Sequence, residues 1–231
     1  MKPHLLFCLA ATLLVAQTTA PEVEITAEPH HHLTFENKSV RVFNVEVAPN
    51  TETLTHWHRH DYVSVTLGAI EITNAVKNKP PVTAKLPDGD VRFVPATFAH
   101  FVRDLSDHPF RNVTIEILED ESLRNSTVKW DEDRGLDVLT NGTKQILFVK
   151  DDIRATEFEL QPGGVVPMHH HAGPHLMVAV SDLDLRSDVE GQGPMPGHFK
   201  SGDFKWLPGN YSHTLTNTGG KLAKFITLEF P

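Results

Sequence analysis

The feature that most constrains this fold is an internal repeat. GDVRFVPATFAH, which ends at His100, and GDFKWLPGNYSH, which ends at His213, carry Gly-Asp, an aromatic residue, Pro and His at the same spacing, 113 positions apart. Glu116 and Glu229 extend the match, because each lies 16 residues after its histidine. The 231-residue chain therefore contains a duplicated unit of about 100 residues, the size of one small domain.

Short stretches of alternating apolar and polar residues follow one another within both copies. They are VRVFNVEV (40–47), YVSVTLG (62–68), TIEIL (114–118), TEFEL (156–160) and FITLEF (225–230). This period of two indicates half-buried strands, and turn sequences such as KPP, PDGD, PGG and LPGN separate them. Many short strands with turns between them predict an all-β sandwich or barrel.

The first twenty residues have the layout of a secretory signal peptide. MKPH is a short basic start, LLFCLAATLLVA is an apolar run, and AQTTA supplies small residues for cleavage. Pro21 makes that cleavage site imperfect, so an N-terminal anchor is the alternative. No other segment has the apolar length to span a bilayer. We therefore expect a secreted or periplasmic protein without a stable membrane span.

The chain divides into five parts on these grounds. They are a signal peptide (1–20), an N-terminal arm (21–37), a first repeat unit (38–118), an acidic linker (119–142) and a second repeat unit (143–231). The single cysteine, Cys8, lies within the signal peptide, so the mature chain forms no disulfide. The net charge of −9 and the lack of a basic stripe argue against nucleic acid as a partner.

Four histidines fall within seven positions of the second unit, in GGVVPMHHHAGPH (163–175). His169 and His171 form an H-x-H pair, and residues i and i+2 of a strand point to the same face. His175 follows a short AGP turn, and His213 opens another strand. Four imidazoles from three segments can thus converge on one metal ion, whereas His170 alternates to the opposite face.

The first unit repeats this pattern less closely. THWHRHD supplies His56, His58 and His60, and His100 closes the segment VPATFAH. The repeat places Tyr62 where the second unit has His175, while strict alternation also turns His60 inward. The fourth ligand of this unit thus stays open between His60 and Tyr62. Surface or pH-sensing histidines are the alternative to a metal site in both units.

These motifs resemble the two motifs of the cupin superfamily, G(x)5HxH(x)3–4E and G(x)5PxG(x)2H(x)3N. Gly163 and the histidines that follow it fit the first, except that His175 stands where the family usually has Glu. Gly202, Pro208, His213 and Asn217 fit the second, with its second glycine one place early. The resemblance covers nearly the whole mature chain and implies two tandem double-stranded β-helix (jelly-roll) barrels, a bicupin.

The resemblance implies a divalent transition metal, which could be iron, manganese, nickel, copper or zinc, in each barrel. The implied function is a metal-dependent enzyme, similar to an oxidoreductase or dioxygenase, acting on a small oxygen-rich molecule. The absence of the ligand Glu argues against oxalate decarboxylation. The alternatives are a non-catalytic metal- or ligand-binding cupin and a bicupin with one degenerate site. Assembly into homo-oligomers is a further expectation by family analogy.

Several other polar residues are expected to lie in contact with solvent or to play a structural role. The histidines at positions 30–32 are expected to form a solvated arm, with capping of a pocket as the alternative. Glu116 and Glu229 are interpreted as facing solvent. No catalytic residue is assigned, although Asp61, Tyr62 and Glu116 are weak candidates for a general base.

Overall fold

A computed structural model of the chain describes residues 21–118, 135–150 and 153–231. Within these ranges the chain forms β-strands and one 3₁₀-helix, Ile25–Ala27. The segment predicted as a signal peptide lies outside the described residues. No helix in the described part has the length and apolar character needed to cross a membrane.

The first repeat unit is a pair of five-stranded sheets. Its strands are β1 (Val23–Glu24), β2 (His31–Glu36), β3 (Val40–Val47), β4 (His56–His58), β5 (Tyr62–Leu67), β6 (Ile70–Val76), β7 (Val82–Leu86), β8 (Val91–Val94), β9 (Phe98–Asp104) and β10 (Phe110–Ile117). One sheet has the order β1-β4-β9-β6-β7, and the other has the order β2-β3-β10-β5-β8. Consecutive strands alternate between the two sheets in much of this unit, as expected for a jelly roll.

The second unit is a single curved sheet. Its strands are β11 (Leu136–Lys150), β12 (Ile153–His171), β13 (His175–Ala179), β14 (Leu183–Val189), β15 (Pro194–Phe199), β16 (Phe204–Leu207), β17 (Tyr211–Asn217) and β18 (Ala223–Glu229). The order is β15-β14-β17-β12-β18-β13-β16, and β11 pairs with β12. β12 pairs with β18 along its first half and with β17 along its second half. A positive φ of 74° at Gly163 lies between those halves and lets the strand change direction.

Two of the three apolar cores fill the barrel interiors. The first interior contains Phe43, Val45, Ile72 and Val102 among others, and the second contains a parallel stack of Phe158 on Phe225. Both interiors draw residues from strands that face each other across the barrel. The sequence prediction of an all-β, barrel-forming chain is confirmed.

The third core joins the two units. Its buried members are Val40, Val42, Val63, Val65, Leu67, Val113 and Ile115 from the first unit, and Ile153, Ala155, Leu176, Val178, Val180, Ile226, Leu228 and Phe230 from the second. We call these residues the inter-unit core. They lie on the strand faces opposite to those that line the barrels, because neighbouring residues of a strand point to opposite faces.

Two predicted boundaries differ from the observed strands. The N-terminal arm is part of the first unit, since β1 pairs with β4 and β2 pairs with β3. The end of the predicted linker is also structured, because β11 begins at Leu136 and pairs with β12. Residues 119–134 of that linker lie outside the described residues. Pairing between distant segments is not visible in the local pattern, which explains both differences.

Candidate metal centres

Three histidines of the first unit converge within its barrel. His56 and His58 come from the short strand β4, and His100 comes from its antiparallel neighbour β9, directly opposite His56. All three are buried, with exposures of 0, 1 and 6%. The Nε2 atom of His100 lies 3.1 Å from the Nε2 atoms of both partners. We call this group the first triad.

The second unit contains an equivalent group, formed by His169, His171 and His213. β12 supplies the first two and β17 the third, with His169 paired directly to His213. Their Nε2 atoms are separated by 3.1, 3.2 and 3.1 Å. We call this group the second triad. In each group the three ligand atoms lie within 4.8 Å of one another.

These distances match those required around a single metal ion. With a metal–nitrogen distance of about 2.1 Å, neighbouring imidazole nitrogens stand roughly 3.0 Å apart at 90° and roughly 3.4 Å apart at tetrahedral angles. The observed separations of 3.1–3.2 Å fall between those values. Both triads therefore have the geometry of three facial or tetrahedral metal ligands.

Hydrogen bonds made by the Nδ1 atoms, the ring nitrogens that point away from the triad, leave the Nε2 atoms free to bind a cation. His56 donates from Nδ1 to the carbonyl of Leu54 at 2.9 Å, and His169 donates from Nδ1 to the carbonyl of Pro167 at 2.8 Å. A carbonyl only accepts, so the proton of each neutral ring is on Nδ1 and the Nε2 lone pair faces the triad. Converging lone pairs repel one another, and a bound cation removes that repulsion.

The surroundings of the triads repeat with the same spacing as the sequence. Leu54 and Pro167 are 113 positions apart, as are Asn74 and Ser187, which contact Nδ1 of His100 and His213 at 2.8 and 2.7 Å. Partners that hold the outer nitrogen orient an imidazole towards a metal. The duplication has thus kept the supports of the ligands as well as the ligands themselves.

Burial favours the neutral form of five triad imidazoles, those of His56, His58, His100, His169 and His213. It lowers the pKa of His56 to about 4 and that of His213 to about 3, and nearby histidines of the same triad add to the effect for His213. The pKa values of His58, His100 and His169 are also lowered, mainly by burial. A neutral imidazole is the form that binds a metal. These five histidines are therefore in the form that binds metal at neutral pH.

A buried carboxylate is present in each unit, contrary to the expectation that Glu116 and Glu229 face solvent. Their exposures are 1 and 7%. Glu229 accepts from Nδ1 of His171 at 3.2 Å and from Arg154 at 2.7 Å. The sequence interpretation was wrong because alternation defines two strand faces without showing which one is inside.

The first unit keeps this arrangement only in part. Glu116 accepts from Arg41, the counterpart of Arg154, at 3.1 Å. However, Oε1 of Glu116 and Nδ1 of His58 are both buried without a hydrogen-bond partner in the described part of the chain. Burial also raises the pKa of Glu116, whereas the pKa of Glu229 is lowered because bonds from His171 and Arg154 outweigh the effect of burial.

The fourth predicted ligands lie beside the triads and not within them. His175 stacks on His171 at a centroid distance of 3.9 Å, and Tyr62 stacks on His58 at 4.1 Å, as their equivalent places in the repeat suggest. His60 follows the end of β4 in a bend, half-buried. Alternation therefore does not extend to it, because the strand ends at His58. Coordination by His60, Tyr62 or His175 stays a prediction.

The remaining histidines divide between the surface and the first barrel. His170 is exposed on the face opposite the second triad, as expected, and contacts Ser212 at 3.2 Å. His31 contradicts the expectation of a solvated arm. It lies on β2, its side chain is 6% exposed, and its ring stands 4.5 Å from that of His56. His32 is exposed.

Each triad opens into a cavity. The cavity of the first unit measures about 560 Å³ and has Ser64, Asn74, Asn112 and Thr114 among its lining residues. The cavity of the second unit measures about 460 Å³, and Phe158, Met177, Phe199 and Leu215 make its wall more apolar. Both volumes are in the range of small-molecule sites.

Both cavities also carry a cation at equivalent places. Arg92 lines the first and Lys205 lines the second, 113 positions apart. Tyr211, beside the second triad, contacts Nε2 of His175 through its hydroxyl at 3.3 Å. Burial raises the pKa of Tyr211 to about 12, so this hydroxyl remains protonated at neutral pH and can donate a hydrogen bond.

Comparison with solved structures places the chain among proteins with a cupin-type fold. It resembles oxalate decarboxylase from Bacillus subtilis, with a TM-score of 0.61 and 13% identity over 83% of this chain and 68% of that one. It also resembles AerE from Microcystis aeruginosa, with a TM-score of 0.62 and 15% identity over 88 and 93% of the two chains. No protein-family model and no curated protein matches the chain. At these identities the likeness defines the fold alone, and it confirms the cupin-type architecture predicted from the motifs.

Proposed function

We propose that the chain is a metal-dependent enzyme with one divalent transition metal held by each histidine triad. The observation that carries this proposal is the convergence of three Nε2 atoms at 3.1–3.2 Å in each unit. Three imidazoles suit zinc, copper, iron or nickel and leave coordination positions for a ligand.

The proposed substrate is a small, oxygen-rich organic molecule. When bound, the metal supplies Lewis acidity that polarises an oxygen of such a molecule. Lys205 places a positive charge on the wall of the second cavity, and Arg92, which is paired with Asp90, lies on the wall of the first; a cation at this place favours an anionic or strongly polar oxygen group. In the second unit, much of the cavity wall is apolar, and the Tyr211 hydroxyl on that wall can donate to a second oxygen of the ligand.

The metal ligands do not include a carboxylate, in contrast to the usual cupin motif. Glu229 contacts the outer nitrogen of His171 and Glu116 contacts Arg41, and within the described residues the two grouped ligand sets consist of histidine only. Neutral ligands leave the full +2 charge on the metal, which favours binding of anionic oxygen groups. For this reason we do not transfer the activity of oxalate decarboxylase to this chain.

We further propose that the chain is exported, on the strength of the basic, apolar and small-residue layout of its first twenty residues. Fractionation of the natural host, with detection of a shortened mature chain outside the cytoplasm, tests this. Full-length chain in the cytoplasmic fraction would contradict it.

The first experiment is metal analysis by mass spectrometry of the natively exported chain, beside His56→Ala and His171→Ala. We expect about two metal equivalents per chain, falling by about one in each variant, because each substitution removes a ligand from a different triad. His170→Ala, on the opposite face of the same strand, is the matched control and should keep both equivalents. An absence of metal in every sample would overturn the metalloenzyme proposal.

Turnover then separates an enzyme from a binding protein. The metal-loaded chain is screened with organic acids and phenolics, with and without dioxygen, and His171→Ala and His56→Ala are measured in parallel. Turnover that disappears with one triad identifies the catalytic unit. Two filled centres without turnover would favour the non-catalytic alternative, in which the cavities hold a ligand that is not converted.

A further inference from the structure

The N-terminal strand brings an additional histidine to the first triad. His31 lies on β2, lines the first cavity and has a 6% exposed side chain. The centroid of its ring is 4.5 Å from that of His56. This separation is as short as those between rings within the triads, for example 4.6 Å between His56 and His100. The distance to His58 is longer, at 6.4 Å. His31 thus stands at the edge of the triad.

A buried carboxylate fixes the orientation of this ring. Glu28, whose side chain is fully buried, accepts from Nδ1 of His31 at 2.6 Å. It also accepts from Nδ1 of the surface residue His30 at 2.9 Å and from the backbone N–H of Leu54 at 3.1 Å. Burial alone would raise the pKa of Glu28, but the bonds from His31 and His30 lower it to about 2, so the carboxylate stays charged.

This arrangement turns Nε2 of His31 away from Glu28. Nδ1 of His56 faces the carbonyl of Leu54. Nδ1 of His31 faces the carboxylate of Glu28, which also accepts from the backbone N–H of Leu54. The two neighbouring rings therefore point their outer nitrogens at one backbone segment. The ring of His31 lines the first cavity, and Nε2 is its nitrogen remote from Glu28.

The second unit has no equivalent of this group. The positions 113 residues after Glu28 and His31 are Asn141 and Lys144. Lys144 contacts Asp137 through Nζ at 3.3 Å, and neither Asn141 nor Lys144 supplies an imidazole. The first centre therefore has a neighbouring histidine, His31, for which the repeat gives no counterpart in the second unit.

We propose that His31 is the fourth imidazole ligand of the first metal centre, held for that role by Glu28. The proposal rests on the metal-binding function proposed above and extends it. His31 lies outside the group of three ligand atoms within 4.8 Å, and its ring stands 6.4 Å from that of His58, compared with 5.0 and 5.1 Å between His58 and the other triad rings, so the His31 ring has to move towards the metal to complete the ligand set. The first centre is then a four-histidine site with a ligand from the N-terminal strand, whereas the second is built on β12 and β17.

The test uses the full chain carrying His171→Ala, so that added Zn²⁺ reports the first centre. Zn²⁺ affinity is measured by competition with a chelator, and the number of imidazoles around zinc by X-ray absorption. We expect His31→Ala to weaken Zn²⁺ binding by at least about tenfold and to reduce the zinc shell from four imidazoles to three. Glu28→Gln should weaken it by about tenfold while keeping four, since it loosens His31 without removing it.

His32→Ala is the matched control, because His32 follows His31 on β2 but is exposed, and neighbouring residues of a strand point to opposite faces. It should bind Zn²⁺ within about twofold of the parent. Three imidazoles in the parent, or unchanged affinity in His31→Ala, would overturn the assignment of His31 and leave the triad intact. A parent that binds no Zn²⁺, together with a wild-type chain that binds none, would instead overturn the proposed function.

Discussion

At the scale of single residues, the two copies differ in how they hold one metal-facing histidine. Nδ1 of His171 is bonded to Glu229, while Nδ1 of His58 and Oε1 of Glu116 are buried without a partner in the described part of the chain. A buried carboxylate that accepts from an imidazole fixes its tautomer and raises its basicity. The second triad is therefore better supported at this position than the first.

This difference predicts unequal effects of the same substitution. Glu229→Gln should weaken metal binding at the second centre by about 10- to 100-fold, since a neutral amide supports His171 less well than a carboxylate. Glu116→Gln should change the first centre by less, because that carboxylate does not contact His58. Chelator competition with both variants measures this. Equal losses at the two centres would contradict the assignment.

The triad residues could be predicted from the sequence, but their supports could not. H-x-H spacing on a strand places two imidazoles on one face, and the repeat adds His100 and His213. The direction of Glu229 could not be predicted, because both faces of β18 are buried, one in the barrel and one in the inter-unit core. The contribution of His31 depends on pairing of β2 with β3, which leaves no local signal.

At the scale of elements, the loops that connect the ligand strands also shape the second centre. The turn after β16 packs directly on the AGP turn that joins His171 to His175. A Cβ added at Gly209 would stand 2.5 Å from the carbonyl oxygen of Ala172 and 2.5 Å from the backbone of Gly173. Only glycine permits this close approach of two backbones.

Gly209→Ala should therefore disturb the second centre. We expect a loss of about 1–3 kcal/mol in stability, because one of the two turns must move, and weaker metal binding at the second triad with the first unaffected. Thermal unfolding and metal titration measure the two effects. Gly193→Ala is the control, since a Cβ there would have no heavy atom within 4 Å. Equal behaviour of the two variants would show that the turn contact does not position the ligands.

At the scale of the whole molecule, the buried histidines link folding stability to pH. The folded-state pKa values of His56 and His213 are about 4 and about 3, compared with 6.5 for an ordinary histidine, mainly because of burial. Below pH 6.5 the unfolded chain binds protons that the folded chain does not. Acid therefore favours unfolding until the pH falls through the lowered values.

We accordingly expect the metal-free chain to lose stability from about pH 6.5 to about pH 4, with His56 alone contributing up to about 3 kcal/mol. Urea unfolding in the presence of a chelator at pH 7.5 and 4.5 measures the loss. His56→Gln should show a smaller loss, whereas His108→Gln, at an exposed loop position, should match the parent. A loss of the same size in all three chains would contradict this origin of the pH dependence.

The inter-unit core has a consequence for how such a molecule can evolve. Along β10 and β18, residues facing a cavity alternate with residues that join the copies, as Thr114 alternates with Ile115 and Thr227 with Leu228. A mutation that alters one pocket therefore leaves the contact between the copies in place. After the gene duplication, natural selection could change the ligand of one barrel while its neighbour continued to provide a stable partner, so a single chain can come to serve two different chemistries.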